Sequence, residues 1–329
     1  MRILFIIDPL AKLDLKWDTS LGLAREFFRR GNAVWFCDTR DLFFEQDRVF
    51  SQVRSLIPVK RSRFKTGKMC RHPAAFFDLV MIRKEPPFDM NYIYLTYLME
   101  LASRDTVVSN CPTGIRNLNE KFSALKFLPV IPQSVVASRP GIILEFQKKL
   151  GEDLVIKPLD LKGGEGVFLV KKNHRRNHPL LWKRTRQGKN FVIAQEKVRT
   201  GRVPKDKRIL LLGGKYLSAF ERQARGNDFR TNLSLDGESG RTSLTLAERK
   251  LVRSLVPLLN REGIHLAGID VMGGKLLEIN VTCPAGITEV DRLYGGKKFI
   301  AQWADYLESL VATSQGRSKA RRQGHNRSS

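Results

Sequence analysis

The sequence predicts an α/β protein in which an N-terminal parallel-sheet domain is followed by a two-lobed α+β domain. Three features carry that expectation. A strand-sized apolar run at residues 3–7 is followed by an amphipathic helix and a second apolar run at 33–37, an order that demands parallel pairing. From residue 154 onward, short β-branched segments alternate with glycine turns. A hairpin pattern around Gly273-Gly274 then separates two apolar-alternating runs. At 329 residues and 42% hydrophobic, the chain can bury a sizeable core in two or three subdomains.

The elements follow in order. Asp18, Thr19 and Ser20 offer N-caps for a helix reaching Arg30, in which Leu21, Ala24, Phe27 and Phe28 share a face and Gly31 provides the stop. A strand at 77–82 leads into the abrupt segment 83–89, then a helix over 91–103 and a short strand at 106–109. The first domain closes near residue 118. A helix is expected over 119–127, broken at Pro129, and strands at 154–157, 167–171, 191–195, 208–212 and 216–220. A helix over 246–262 precedes the hairpin of 268–272 and 276–279. The domains are thus 1–118 and 119–312, with a Gly/Ser/Arg-rich segment at 313–329 read as a disordered tail. No internal repeat of fixed period is present.

Composition excludes several classes. The longest apolar runs, 3–7 and 76–82, are strand-sized, so no membrane span is expected. The start of the chain is too short in apolar residues for a signal peptide and meets Asp8-Pro9. Four cysteines, Cys37, Cys70, Cys111 and Cys283, fit no zinc spacing and suggest reduced thiols in the cytoplasm. The net charge of +25 gathers at 60–71, 171–189 and after Thr313. It reads either as nucleic-acid binding or as a solvated surface suited to anionic small molecules. The second reading is preferred, because no aromatic pattern is evident among the basic runs.

Two motifs carry chemistry. In residues 268–280, a three-residue turn over Gly273, Gly274 and Lys275 would set Asp270 opposite Glu278, with Glu278 and Asn280 on one face. Three oxygen donors without His or Cys suit Mg²⁺, though alone they equally describe the exposed face of a surface hairpin. In residues 155–167, Lys157 ends an apolar strand ahead of Gly163, Gly164 and Gly166, a loop able to bring backbone N–H groups to phosphates. It is neither a Walker A loop nor a dinucleotide fingerprint. Together the two motifs favour a metal–nucleotide site.

These residues add up to a resemblance. Over residues 1–310 the chain resembles the prokaryotic glutathione synthetases, a branch of the ATP-grasp superfamily. Asp8-Pro9 with Lys16, Asp18 and Ser20 looks like that family's opening signature, and residues 81–89 like its substrate-side motif. The resemblance implies a pre-ATP-grasp, Rossmann-like N-terminal domain and an ATP-grasp domain. By that resemblance Lys121 and Lys157 would bind ATP phosphates under the loop of Gly163 and Gly164. Glu196, Lys197 and Val198 would form the adenine hinge, with Asp206 nearby for ribose or metal. Asp270, Glu278 and Asn280 match Mg²⁺ ligands. Arg208 and Arg222 would steady the acyl phosphate, and Arg83, Arg230 and Asn232 would lie near the dipeptide.

The implied reaction joins γ-glutamylcysteine and glycine at the expense of ATP, through an acyl phosphate, in a homotetramer. A related ligase with another acid or amine, or a nucleic-acid-binding protein on an inactive ligase fold, are the alternatives. The sequence departs from the family pattern at Leu161 after Asp160, at Lys197 where an aromatic is usual, and across residues 232–240. Those departures predict a differently shaped lid.

Overall fold

The structure is a computed structural model that describes residues 1–60, 63–226, 228–231, 237–296 and 298–325, with side chains to residue 316. Its first half runs β1 (Arg2–Ile6), α1 (Thr19–Arg29), β2 (Ala33–Cys37), β3 (Leu42–Glu45), β4 (Arg48–Lys60), β5 (Arg63–Thr66), β6 (Cys70–Pro73), β7 (Leu79–Ile82), α2 (Met90–Ala102), β8 (Val107–Ser109) and α3 (Pro112–Asn117). The second half runs β9 (Ser134–Ala137), α4 (Pro140–Leu150), β10 (Leu154–Pro158), β11 (Phe168–Val170), α5 (Asn177–Arg184), β12 (Val192–Glu196), β13 (Lys205–Leu212) and β14 (Lys215–Gln223). It ends with β15 (Glu238–Arg241), α6 (Leu246–Arg261), β16 (Leu266–Met272), β17 (Lys275–Asn280), α7 (Ile287–Tyr294) and α8 (Phe299–His325).

A strand whose residues are apolar on both faces must be covered on both sides. β1 meets that condition: it pairs in parallel with β2 and β7, Ile3 lying opposite both Val34 and Leu79. Ile3 and Phe5 face α1 and α8, packing with Leu23, Phe27, Trp303 and Leu307. Leu4 and Ile6 face the other way, toward Tyr92, Leu95 and Met99 of α2. Each such buried side chain contributes roughly 1.5–3 kcal/mol, so these few contacts suffice to dock both helices. Sequence analysis assigned nothing between residues 38 and 76. There β4 extends the sheet antiparallel to β2, and β3, β5 and β6 pair with β4.

Two further sheets form the second domain. Among the described residues one has the order β11-β10-β12-β9 and the other β15-β14-β13-β16-β17, both antiparallel. In the first, Leu154, Ile156 and Ala194 turn outward onto Ile143 of α4 and Leu181 of α5. In the second, Ile209, Leu211, Ile269, Val271 and Ile279 pack on Leu251, Leu255 and Leu258 of α6. That helix starts with the capping box its sequence encodes, Thr245 with Glu248. The fold is therefore the α/β one expected: a sheet with a parallel centre, β2-β1-β7-β8, widened by antiparallel strands, followed by two lobes that turn their polar faces toward each other.

Three expectations change. Residues 119–127 form only a 3-10 helix, Phe122–Phe127. The segment is held by its links to the neighbouring lobes, such as Asn119 Nδ2 donating to Leu159 O at 2.8 Å and Ile279 N to Glu120 O at 2.8 Å. The last helix continues to His325, into the segment read from the sequence as a disordered tail. The Gly273-Gly274 turn has two residues, Met272 pairing with Lys275. The expected pairing of Asp270 with Glu278 is nevertheless present, because a bulge between Asp270 and Val271 restores the register.

Candidate active site

Alternation along four adjacent strands builds one wall of the cleft. Asp206 and Arg208 lie two apart on β13 and therefore share a face. Arg222 is opposite Asp206, Phe220 and Asp270 are opposite Arg208, and Glu278 is opposite Asp270. The alternate residues Ile209, Leu211, Ala219, Ile269, Val271 and Ile279 join the core under α6, where Lys207 pairs with Glu248, so the remaining set points away from that core, toward the other lobe. The facing wall comes from β10 and β12, where Val155 is paired with Gln195 and Lys157 with Ile193.

Between the walls lie two adjoining chambers. The first, about 880 Å³ out to its mouth, is lined by Lys121, Lys157, Gly163, Gly164 and residues 195–198, with Asp206, Arg222, Arg230, Asp270 and Glu278 opposite. The second is lined by Glu85, Pro86 and Glu120 from one side and by Arg208, Phe220, Asn280, Cys283 and Gly286 from the other. Lys162, Gly163, Glu165, Arg222 and Glu278 border both chambers. Gly268 leaves a lane for Arg208, since a Cβ there would sit 3.1 Å from Arg208 Cδ.

The charged groups of the wall are tightly paired. Arg208 donates Nε and Nη2 to the two carboxylate oxygens of Asp270, at 2.5 and 2.9 Å. Arg222 grips Asp206 in the same way, at 2.9 and 2.5 Å, and its Nη2 lies 3.0 Å from Asp270 Oδ1. Burial works against the charge on Asp270, but the Arg208 and Arg222 guanidinium groups hold its carboxyl well below the usual range. Asn280 Nδ2 donates to Gly268 O at 3.1 Å and to Asp270 Oδ2 at 3.3 Å. Lys157 Nζ reaches across the cleft to within 3.6 Å of Glu278 Oε1, the least buried carboxylate of the wall at 21% exposure. Lys121 Nζ donates to Leu161 O at 2.5 Å, under the glycine loop.

The structure brings most of the sequence-derived candidates to this cleft. Arg230 lines the first chamber, not the second; it pairs with Asp228 and donates Nη1 to Gly164 O at 3.1 Å, tying two loops together. Arg83 is buried away from both chambers, where Nε donates to Ser20 Oγ at 2.9 Å and Nη2 to Pro284 O at 3.0 Å. It braces the turn that carries Cys283 and Gly286. Asn232 and residues 233–236, within the segment 232–240 that departs from the family pattern, lie outside the described residues. At the hinge, Lys197 N donates to Asp153 O at 3.0 Å and Glu196 N to Gln133 O at 2.9 Å.

Glu85, Lys162 and Glu165 lie inside the motifs at 81–89 and 155–167 but had no role of their own assigned from the sequence, and Phe220 and the turn 282–286 were not singled out at all. The last had a signal, since Pro284 and Gly286 follow the metal-type hairpin directly. Lys162 pairs with Glu85 across the mouth of the second chamber, and Phe88 N donates to Asp160 O at 2.8 Å beside it. Burial pushes the Cys283 thiol up to about 11, so it is not a thiolate nucleophile at neutral pH.

Residues 1–116 match the family model of the prokaryotic glutathione synthetase N-terminal domain, and residues 120–295 that of the prokaryotic glutathione synthetase ATP-grasp domain. The chain is 39% identical over 303 residues to the glutathione synthetase of Gloeobacter violaceus, covering 90% of this chain and 93% of the relative. It is 36% identical over 307 residues to that of Thermosynechococcus vestitus, covering 90% and 96%. Among solved structures, D-cycloserine synthetase DcsG superposes with a TM-score of 0.66 at 16% identity, covering 93% of this chain and 99% of that one. At that identity the likeness is one of fold.

Proposed function

The chain belongs to the prokaryotic glutathione synthetase family, and from that premise we propose how its two chambers divide the work of making glutathione. The protein is an ATP-dependent carbon–nitrogen ligase. ATP occupies the first chamber, its adenine against Glu196, Lys197 and Val198 and its phosphates against Lys121, Lys157 and the backbone of Gly163 and Gly164. γ-Glutamylcysteine occupies the second, with Arg83 bracing the wall behind it and Arg230 on the side of the first chamber. The observation that carries this reading is the shared border, where Arg222 and Glu278 line both chambers. A phosphoryl donor in one would meet a carboxylate acceptor in the other at that border.

The chemistry must turn a carboxylate, a poor electrophile, into a good one. The γ-phosphoryl group passes to the cysteinyl carboxylate oxygen, giving an acyl phosphate and ADP. The glycine amine attacks that carbonyl carbon, and inorganic phosphate leaves. Position and charge neutralisation supply most of the catalysis in such a transfer. Lys157 and Lys121 supply cations on the donor side and Arg208 and Arg222 on the acceptor side. The Lys162–Glu85 pair closes the small loop, keeping water from the acyl phosphate.

The wall also fits Mg²⁺. Among the described residues no three His, Cys, Asp or Glu side chains cluster as a metal site. Asp270, Glu278 and Asn280 instead offer two carboxylates and an amide oxygen. A hard cation that takes its remaining ligands from phosphate and water suits such a set. When bound, Mg²⁺ would neutralise phosphate charge there. Arg208 now holds both oxygens of Asp270, so Glu278 is the residue best placed to meet the ion first.

The four cysteines are free thiols and no helix of the described residues is long and apolar enough to cross a membrane, which supports a cytoplasmic enzyme. Assembly as a homotetramer is the state the family resemblance implies, and Met90, Tyr94 and Tyr97, exposed on α2, are apolar surface available to it. The deciding experiment measures phosphate release with γ-glutamylcysteine and glycine supplied together and separately. Release should be fast only with both, or with γ-glutamylcysteine in slow turnover. Equal release with neither acid present, or with unrelated acids, would overturn the substrate assignment.

A further inference from the structure

The small lobe carries a surface that the ligase reaction does not use. Residues 166–195 contain no Asp or Glu but eight Lys and Arg: Lys171, Lys172, Arg175, Arg176, Lys183, Arg184, Arg186 and Lys189. All eight are exposed, and none is paired with a carboxylate among the described residues. Leaving so many cations without a carboxylate partner on one lobe is unfavourable by self-repulsion; Asp153 Oδ1 accepts from the backbone N of Lys172 at 2.8 Å, not from its ammonium. Arg30, by contrast, pairs with Glu26, Asp305 and Glu308. The cations flank α5, whose Asn177 and Leu181 are buried, so they lie on its solvent side and on the turns at either end.

Two aromatic side chains stand among them. Trp182 is 46% exposed and Phe191 is 61% exposed. The Trp182 ring lies nearly parallel to that of His178, one helical turn earlier, with centroids 6.5 Å apart and planes 14° from each other. Arg184 stacks over Phe168 at 5.5 Å. Flat ring faces set in a field of unpaired cations are the two components by which single strands are held: cations follow the phosphates and rings stack on the bases. The aromatics were not legible as a pattern in the sequence because α5 and the following loop, not adjacency in the chain, bring them into the patch.

We propose that this α5 face of the small lobe is a binding surface for single-stranded RNA, separate from the ATP cleft. A second copy of this chain is a poor occupant, since both surfaces would be cationic on a chain of net charge +25. The residues that face the cleft from the same lobe, Val155, Lys157 and Gln195, lie on strands whose opposite side packs on α4 and α5. Occupancy of the α5 face therefore leaves the cleft open.

The test uses the full-length protein and a fluorescent 20-nucleotide RNA of mixed sequence, in a salt titration by anisotropy. Three or four phosphate contacts would lower affinity roughly 20- to 50-fold between 50 and 200 mM salt. The double variant Arg175→Gln/Arg176→Gln should reduce the log–log salt slope by about 1.4. Trp182→Ala should weaken binding about 5- to 160-fold with the slope unchanged, as expected for lost stacking. Both variants should keep wild-type ligation rates, which shows that they fold. The proposal is overturned if deleting residues 314–329 abolishes binding while the α5 variants leave it intact. It is equally overturned if phosphatidylserine vesicles are bound more tightly than RNA, or if Trp182→Ala has no effect.

Discussion

Arg222 lies between two buried carboxylates, its guanidinium bound to both oxygens of Asp206 and 3.0 Å from Asp270 Oδ1. Asp270 in turn holds Arg208. The four groups form one alternating chain of charge across three strands, and none of them can be neutralised alone without leaving a buried charge behind.

Asp270→Asn therefore should be costly to stability as well as to catalysis. Removing one partner of a buried pair costs about 3–5 kcal/mol. Urea unfolding should show a lowered midpoint with an unchanged slope, and ADP release should be lost. A midpoint equal to wild type would show that the arginines find other partners and that the chain of charge is not structural.

Glu278→Ala separates chemistry from folding. Its carboxylate is the most exposed of the wall and its only described ion pair is the long one to Lys157. Stability should fall less than in Asp270→Asn, because this pair is longer and more open to solvent, while ATP-dependent ligation falls to background and does not recover at high Mg²⁺. Near-normal turnover in this variant rules out Glu278 as a metal ligand.

Lys157→Met should act on the nucleotide. With its ammonium on the wall of the first chamber, the loss should raise the KM for ATP at least tenfold, about 1.4 kcal/mol, and leave the KM for γ-glutamylcysteine within twofold. Steady-state kinetics with each substrate varied in turn would show it. A change confined to the dipeptide would reverse the chamber assignment.

Glu85→Gln should uncouple the reaction. It removes the carboxylate that Lys162 holds across the mouth of the second chamber. Phosphate release should then exceed glutathione formation, as water reaches the acyl phosphate. The ratio of the two products is the readout, and a ratio of one in the variant would show that the pair does not guard the site.

His265 should set part of the acid sensitivity. Burial lowers its pKa to about 4 from the usual 6.5, and its Nδ1 lies 3.0 Å from Ser109 Oγ. The unfolded chain binds the proton first, so stability is full above pH 6.5 and is lost as pH falls from 6.5 to 4. The loss approaches about 3 kcal/mol. The His265→Gln variant should lose less stability over that window than wild type. Parallel curves for the two proteins would refute the contribution.

Much of the site was readable before any coordinates. The hairpin of 268–280 pairs Asp270 with Glu278 as its alternation implied, and Lys157 ends a strand whose apolar partners are buried. The register survived even though the turn length was misjudged, because the bulge compensates for it. Arg83 and Arg230 show the opposite case. The family resemblance put them near the dipeptide; in the structure one braces a buried turn and the other joins two loops of the first chamber.

What the amino-acid order determined by itself is local: which residues alternate, which faces are apolar, and hence which side chains leave the core together on a given strand. That information sits within a few residues and is imposed by the strand period and the hydrophobic effect. Which wall each face looks toward was settled only by folding. Lys162 meets Glu85, Arg83 meets Pro284, and Arg208 meets Asp270 across separations that no local period encodes. In a chain with 58 Lys and Arg, composition marks every cation alike. Burial beside a carboxylate, which depends on sheet order and lobe packing, makes a few of them part of the cleft wall and leaves others to solvent.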